Sequence, residues 1–225
     1  MGQDLRKCVF DGAPADKLYA SDLFAEYEDL SYELWRDRDT FPAHHFLPDD
    51  VLAGNDRFLQ GTLMTKLGPG QTDMIAINMF LHLFDYGNQL KVATRILRLL
   101  SQKPGSMIIG SQAGVSEPVE QPLKPPFDRT EDGKERTIFR HSTDSFVKLW
   151  QDAGVATGVP LRPISCIFNQ PKANDSSVEG TEPPFETKTK KPFTAEDLFS
   201  THVATRGKYT SEQETGRLNF SIIRS

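Results

Sequence analysis

Residues 73–110 read DMIAINMFLHLFDYGNQLKVATRILRLLSQKPGSMIIG, and this stretch decides the fold. Residues 73–79 (DMIAINM) are apolar in a nearly continuous run, as strands of a parallel sheet are. Asp85 is placed to cap a helix whose inward positions are Leu90, Ala93, Thr94, Leu97 and Leu100, and Pro104-Gly105 stops it. Residues 106–110 (SMIIG) return as a second strand. Strand, helix and strand in that order form a crossover unit, right-handed within one sheet.

The same alternation extends outward. Toward the amino end, residues 17–21 (KLYAS) read as a short strand that stops at Asp22. Phe24, Tyr27, Leu30, Leu34 and Trp35 recur at helical spacing and predict an amphipathic helix over 25–36. Residues 43–47 (AHHFL) form the next strand, closed by the turn chemistry of Pro48-Asp49-Asp50. Toward the carboxyl end, residues 116–133 are rich in proline and charge, and all of 111–136 is expected as a loop over the carboxyl ends of the strands. Ser142 or Thr143 caps a helix that carries Phe146, Leu149 and Trp150 and ends near Gly154. Residues 161–168 (LRPISCIF) and 217–223 (RLNFSII) are strand-like. Between them, 169–216 is a long polar connection, expected to be mobile apart from a turn of helix at 195–199. The expectation is a single α/β domain over 1–225.

Composition narrows the function classes. A 37% hydrophobic and 25% charged chain is that of an ordinary globular protein, and no apolar run approaches the roughly 20 residues that span a bilayer. The start, MGQDLRKCVF, lacks the apolar stretch of a secretory signal, and Cys8 and Cys166 show no metal-like spacing. A cytoplasmic protein with two reduced thiols is expected. A net charge of −5 argues against a general nucleic-acid binder, which needs a basic surface to release phosphate counterions. The basic run 188–191 reads as a solvated cluster. A small-molecule partner fits better.

A sheet of this kind binds an adenosyl group with a glycine turn, an acidic residue closing one strand and a polar group after the next. Asp22 is placed for ribose, because a carboxylate offers two acceptor oxygens to a vicinal diol. It could equally cap the helix that follows. Asp49 and Asp50 could accept from an adenine amine, or simply form a turn. His82, just past the central strand, has a side chain that titrates near working pH and is the candidate base, with local hydrogen bonding as the plainer role. His44 and His45 read as packing residues and His141 as structural, and none of the five histidines has metal-ligand spacing. Phe80, Phe84, Phe127 and Phe139 could line an apolar pocket or simply be core.

Three runs carry a family resemblance: CVFDGAPADKLYASDLFAEYEDLSYELWRDRDTF (8–41), INMFLHLFDYGNQLKVATRILRLLSQKPGSMIIGSQAG (77–114) and FRHSTDSFVKLWQDAGVATG (139–158). Their most specific pieces are YELWRDRD, FLHLFD and LLSQKPGSMIIG. Over roughly residues 2–168 the chain resembles the fungal methyltransferases of meroterpenoid and related secondary-metabolite pathways. The resemblance implies a Rossmann-like class I methyltransferase sheet with helices on both faces. It further implies S-adenosyl-L-methionine as cofactor, O-methylation of a carboxyl or hydroxyl on a terpenoid or polyketide-derived metabolite, and a homodimer. Carried over by position, it makes Asp22 and Leu23 the ribose pair, Asp49 and Asp50 the adenine-side pair, and Gly2 the last glycine of the cofactor loop. Ile77 and Asn78 then lie beside the cofactor. No metal is implied.

The sequence departs from that pattern in two places. Met1 stands where the glycine turn should already be under way, so the first, central strand of the sheet is expected to be lacking, and 169–216 is longer than the family's hairpin. The other readings are a non-catalytic remnant or interaction module of the same fold, and a nucleotide-sugar or NAD-dependent α/β enzyme.

Overall fold

A computed structural model describes residues 2–41, 45–130, 132–170 and 215–225. His44, the basic run at 188–191, the expected turn at 195–199 and nearly all of the connection 169–216 lie outside the described residues.

The central crossover forms as its pattern dictates. Strand β3 (Met74–Asn78) leads through a 3-10 turn (Leu81–Leu83) into α5 (Tyr86–Leu99), and β4 (Met107–Val115) returns parallel to β3, with Met74 opposite Met107 and Asn78 opposite Ser111. Asp85 caps α5, its Oδ1 accepting from Asn88 N–H at 2.8 Å. The amino-terminal crossover is shorter: β1 (Ala20–Asp22), α2 (Glu26–Trp35) and β2 (Phe46–Pro48), again parallel. Ahead of it stands α1 (Gln3–Phe10), and after it come two short helices, α3 (Asn55–Leu59) and α4 (Thr62–Leu67). Ser142 caps α6 (Thr143–Thr157), which runs past Gly154 until Gly158 ends it in the left-handed conformation, φ 68°. The strand β7 (Ser165–Asn169) and the last strand β8 (Thr215–Ile223) are antiparallel, giving the order β3-β4-β8-β7. β4 and β8 are antiparallel as well.

Alternation along these strands sorts the faces. Ile75, Ile77, Ile108, Leu218, Phe220 and Ile222 point to one side and pack against α5 and α6, where Val92, Leu97, Phe146, Leu149 and Trp150 are buried. Burying each such side chain stabilises the fold by about 1.5–3 kcal/mol, so this layer is the core. The opposite face carries Ala76 and Asn78, and α1 meets it where Asn78 Nδ2 donates to Asp4 at 3.4 Å. Helices therefore stand on both sides of a Rossmann-like α/β sheet. Among the described residues, β1–β2 and β3-β4-β8-β7 are separate sheets, and β1 and β3 each keep one edge without a strand partner.

Part of the expected loop 111–136 is strand. Residues 111–115 extend β4, and β5 (Val119–Pro122) pairs with β6 (Thr137–Arg140) as an antiparallel hairpin. Pro122 hid this in the sequence, yet proline is tolerated where a strand has a free edge.

Candidate functional site: a crevice at the carboxyl ends of β1 and β2

The two short parallel strands end side by side, and the Asp49 amide donates to the Asp22 carbonyl at 2.9 Å. Each carboxylate is steadied by a nearby backbone amide. Asp22 Oδ1 accepts from Phe24 N–H at 3.3 Å and Asp50 Oδ1 from Leu52 N–H at 2.8 Å. Asp49 Oδ2 reaches 14 residues ahead to Leu63 N–H at 2.9 Å, acting as an external cap on α4. Asp22 does not cap α2, which starts at Glu26. In each carboxylate the second oxygen has no hydrogen-bond partner among the described residues. Each carboxylate thus keeps one acceptor, the chemistry that suits the hydroxyl and amine donors of a nucleoside.

Leu23, Asp49, Asp50, Arg57, Gln60 and Thr62 line an open cavity of about 570 Å³ here, within the usual size of small-molecule sites. Gly61 allows the close approach. A methyl group there would lie 2.8 Å from Asp49 Oδ1 and collide with Oδ2 as well. Arg95 braces the loop that follows Asp50: from α5 it donates to the Val51 carbonyl and, at 3.0 Å, to Asn55 Oδ1, while its guanidinium stacks on Phe58 at 4.4 Å. Arg57, Gln60 and Thr62 were not foreseen. The one local signal for them is the Gly54/Gly61 spacing, which starts both α3 and α4.

The remaining expected cofactor residues lie elsewhere. Gly2 adopts the left-handed conformation (φ 64°) and opens α1, whose Asp4 meets Asn78. Asn78 Oδ1 also accepts from Ser111 Oγ at 3.3 Å. The side chain of Ile77 is 6% exposed and belongs to the core beneath α5, so only its backbone can face a ligand. Gly2 and Asn78 form a second group, separate from the lining of the cavity. Next to Asn78, Met79 takes a left-handed φ of 50° and donates to the Ser111 carbonyl at 2.6 Å. A non-glycine residue held there costs on the order of 1–2 kcal/mol, the sort of strain that collects at functional sites.

The His82 imidazole is a weaker base in the fold than as a free side chain. Burial and the positive charge of Arg140 push it down to about 4, and its Nδ1 has no hydrogen-bond partner among the described residues. At neutral pH it is an uncharged imidazole and a weak base. His141 is likewise pushed down to about 4 by burial. It is fully enclosed between Phe139 and Phe146 and bonded through both ring nitrogens, which is the structural role expected of it. His45 Nδ1 donates to the Leu18 carbonyl (2.8 Å), and the ring stacks on Tyr19. Phe80 and Phe84 pack edge to face against each other at the core margin, whereas Phe127 is 65% exposed. Among the described residues, no cluster of His, Cys, Asp or Glu could hold a metal, and no helix is long and apolar enough to cross a membrane.

The chain is a Rossmann-like α/β protein, with a carboxylate-lined crevice at the carboxyl ends of two parallel strands, where sheets of this kind keep their ligand sites. Its relatives are fungal methyltransferases. The chain is 37% identical to the O-methyltransferase atr3 of Stereocaulon alpinum over 156 residues, 69% of this chain and 41% of that protein. It is 35% identical to the asnovolin E/chermesin D methyltransferase nvfJ of Aspergillus novofumigatus over 161 residues, 71% of this chain and 52% of that protein. The chain thus spans about half the length of the curated relatives it matches. No family model matches it. Among solved structures, a SAM-dependent methyltransferase from Archaeoglobus fulgidus aligns with a TM-score of 0.47 at 10% identity, covering 100% of this chain and 81% of that one.

Proposed function

We propose that this chain carries the nucleoside-binding half of an S-adenosylmethionine-dependent O-methyltransferase acting on a small secondary metabolite, with a carboxyl or hydroxyl as the methyl acceptor. The observation that carries the reading is the crevice at the ends of β1 and β2, where Leu23, Asp49 and Asp50 share one cavity and Asp22 adjoins it through the Asp49 amide. The relatives named above supply the reaction class.

In this reading Asp22 takes the ribose diol, Leu23 lies against the nucleoside, and Asp49 or Asp50 accepts from the adenine amine. Gly2 and Asn78 lie toward the amino-acid end. Bound S-adenosylmethionine supplies a methyl group already activated on a sulfonium. The chain's own residues therefore need only orient the acceptor and exclude water. A carboxylate acceptor is ionised at neutral pH and needs no base, which agrees with a neutral His82. His82 then shapes the wall beside the acceptor.

One observation favours a second reading, a non-catalytic remnant or interaction module of the same fold that does not hold the cofactor. Among the described residues no strand pairs with the open edges of β1 and β3. Calorimetry with S-adenosylhomocysteine separates the two. Binding tighter than about 1 mM, that is more than roughly 4 kcal/mol of affinity, is expected of the methyltransferase. Weaker or absent binding would leave only the module.

A further inference from the structure

We infer that Gln89 is a positioning residue: it locks the β5–β6 hairpin to the turn that follows β3, and so sets the wall that holds His82. Gln89 lies on α5 and is fully enclosed. Its amide nitrogen donates to the Phe84 carbonyl at 2.9 Å and to the Phe139 carbonyl at 2.8 Å. Its Oε1 lies 3.1 Å from His141 Nε2. With that oxygen as acceptor, Nε2 carries the imidazole proton, and Nδ1 accepts from the Ser145 hydroxyl at 2.9 Å.

One side chain therefore joins the segment after β3, the second strand of the hairpin and the amino end of α6. Two backbone bonds close the same joint: Phe139 N–H to the Phe84 carbonyl (2.9 Å) and Val115 N–H to the His141 carbonyl (3.0 Å). His141 also bridges to Gly114 near the carboxyl end of β4. The Leu81–Leu83 turn packs against both β4 and β6, so His82 sits inside the joint, with Arg140 next along the hairpin after Phe139. The partners of Gln89 are two part-buried carbonyls and an enclosed imidazole, and an apolar side chain in its place would take one donor from each carbonyl and the acceptor from His141 Nε2. The inference rests on the methyltransferase reading only for its consequence, that this wall faces the acceptor.

The test uses the full chain and Gln89→Met, which keeps volume and removes the three bonds. Tyr32→Phe is the control: it deletes one buried hydrogen bond on α2, to the Phe41 carbonyl, and lowers stability without touching the joint. Two readouts apply, hydrogen exchange at the Val115 and Phe139 amides and the titration of His82 followed by NMR. In Gln89→Met the two amides are expected to exchange at least about tenfold faster than in the control. The His82 titration is expected to move up from about 4 toward 6.5. If both stay where Tyr32→Phe leaves them, Gln89 is an ordinary core residue and the inference fails. Should Gln89→Met not fold, His141→Asn, which breaks the lock at one point, is read against the same two outcomes. Calorimetry with S-adenosylhomocysteine on the parent chain keeps the methyltransferase reading separate, because neither readout needs the cofactor.

Discussion

The crevice stands at the carboxyl ends of β1 and β2 and the hairpin joint at those of β3 and β4, and the two are built in opposite ways. In the crevice, carboxylates stay at the surface, each steadied by one backbone amide and each with an oxygen to spare. In the joint, Gln89, His82 and His141 are enclosed, and Gln89 and His141 spend their polar atoms on one another, on the Phe84 and Phe139 carbonyls and on the Ser145 hydroxyl. A surface carboxylate costs little to change and can bind a ligand. A buried, saturated network binds nothing new but fixes what surrounds it. Helix α5 serves both: Arg95 holds the loop beside Asp49 and Asp50, and Gln89 holds the hairpin.

Four perturbations test that contrast, and the largest effect falls on the joint. Phe146→Ala removes a fully buried ring that touches His141, Trp150 and Phe220, and should cost about 3–5 kcal/mol in chemical denaturation. A loss below about 1 kcal/mol would mean the core does not carry the joint.

Acid comes next. His82 and His141 titrate near 4 in the folded chain against an ordinary 6.5, so the unfolded chain binds protons first as pH falls. Stability is full above pH 6.5 and declines toward pH 4, by on the order of 2–3 kcal/mol for each imidazole. His141→Asn should flatten that decline. A chain equally stable at both ends of the window would mean the two rings are not buried as described.

Gly61→Ala pushes a methyl group onto the Asp49 carboxylate. It should cost on the order of 1–2 kcal/mol in thermal unfolding, through the lost cap on α4. Unchanged stability would show that Asp49 moves freely and does not define the crevice.

The smallest effect on folding belongs to Asp22→Ala. Asp22 is exposed, so stability should change by less than about 0.5 kcal/mol. Affinity for S-adenosylhomocysteine should still fall by about tenfold or more, because a ribose diol loses its acceptor. Parent-like affinity would remove Asp22 from the site.

The contrast also explains what could be read from the sequence. The β3–α5–β4 unit was legible because its signals are local: an apolar run, an aspartate cap and a Pro-Gly stop. Asp49 and Asp50 were legible as strand-closing residues for the same reason. The capping of Leu63 by Asp49 was not, since α4 is six residues long and has no apolar period to announce it. The burial of the Ile77 side chain was not legible either, since it follows from the packing of α5 against β3. The pKa of His82 depends on Arg140, and the fixing of His141 depends on Gln89. Those partners lie more than 50 residues away, and nothing in spacing or composition connects them.

If an adenosyl group sits at the ends of β1 and β2, its binding perturbs the amides around that crevice. Backbone NMR shifts of the labelled chain, followed while S-adenosylhomocysteine is added, test it most directly. The account expects saturable changes at Leu23, Asp49, Asp50 and Leu63, with Phe139 and His141 nearly still. Silence at those four amides at millimolar ligand, or changes confined to residues 129–136, would contradict it.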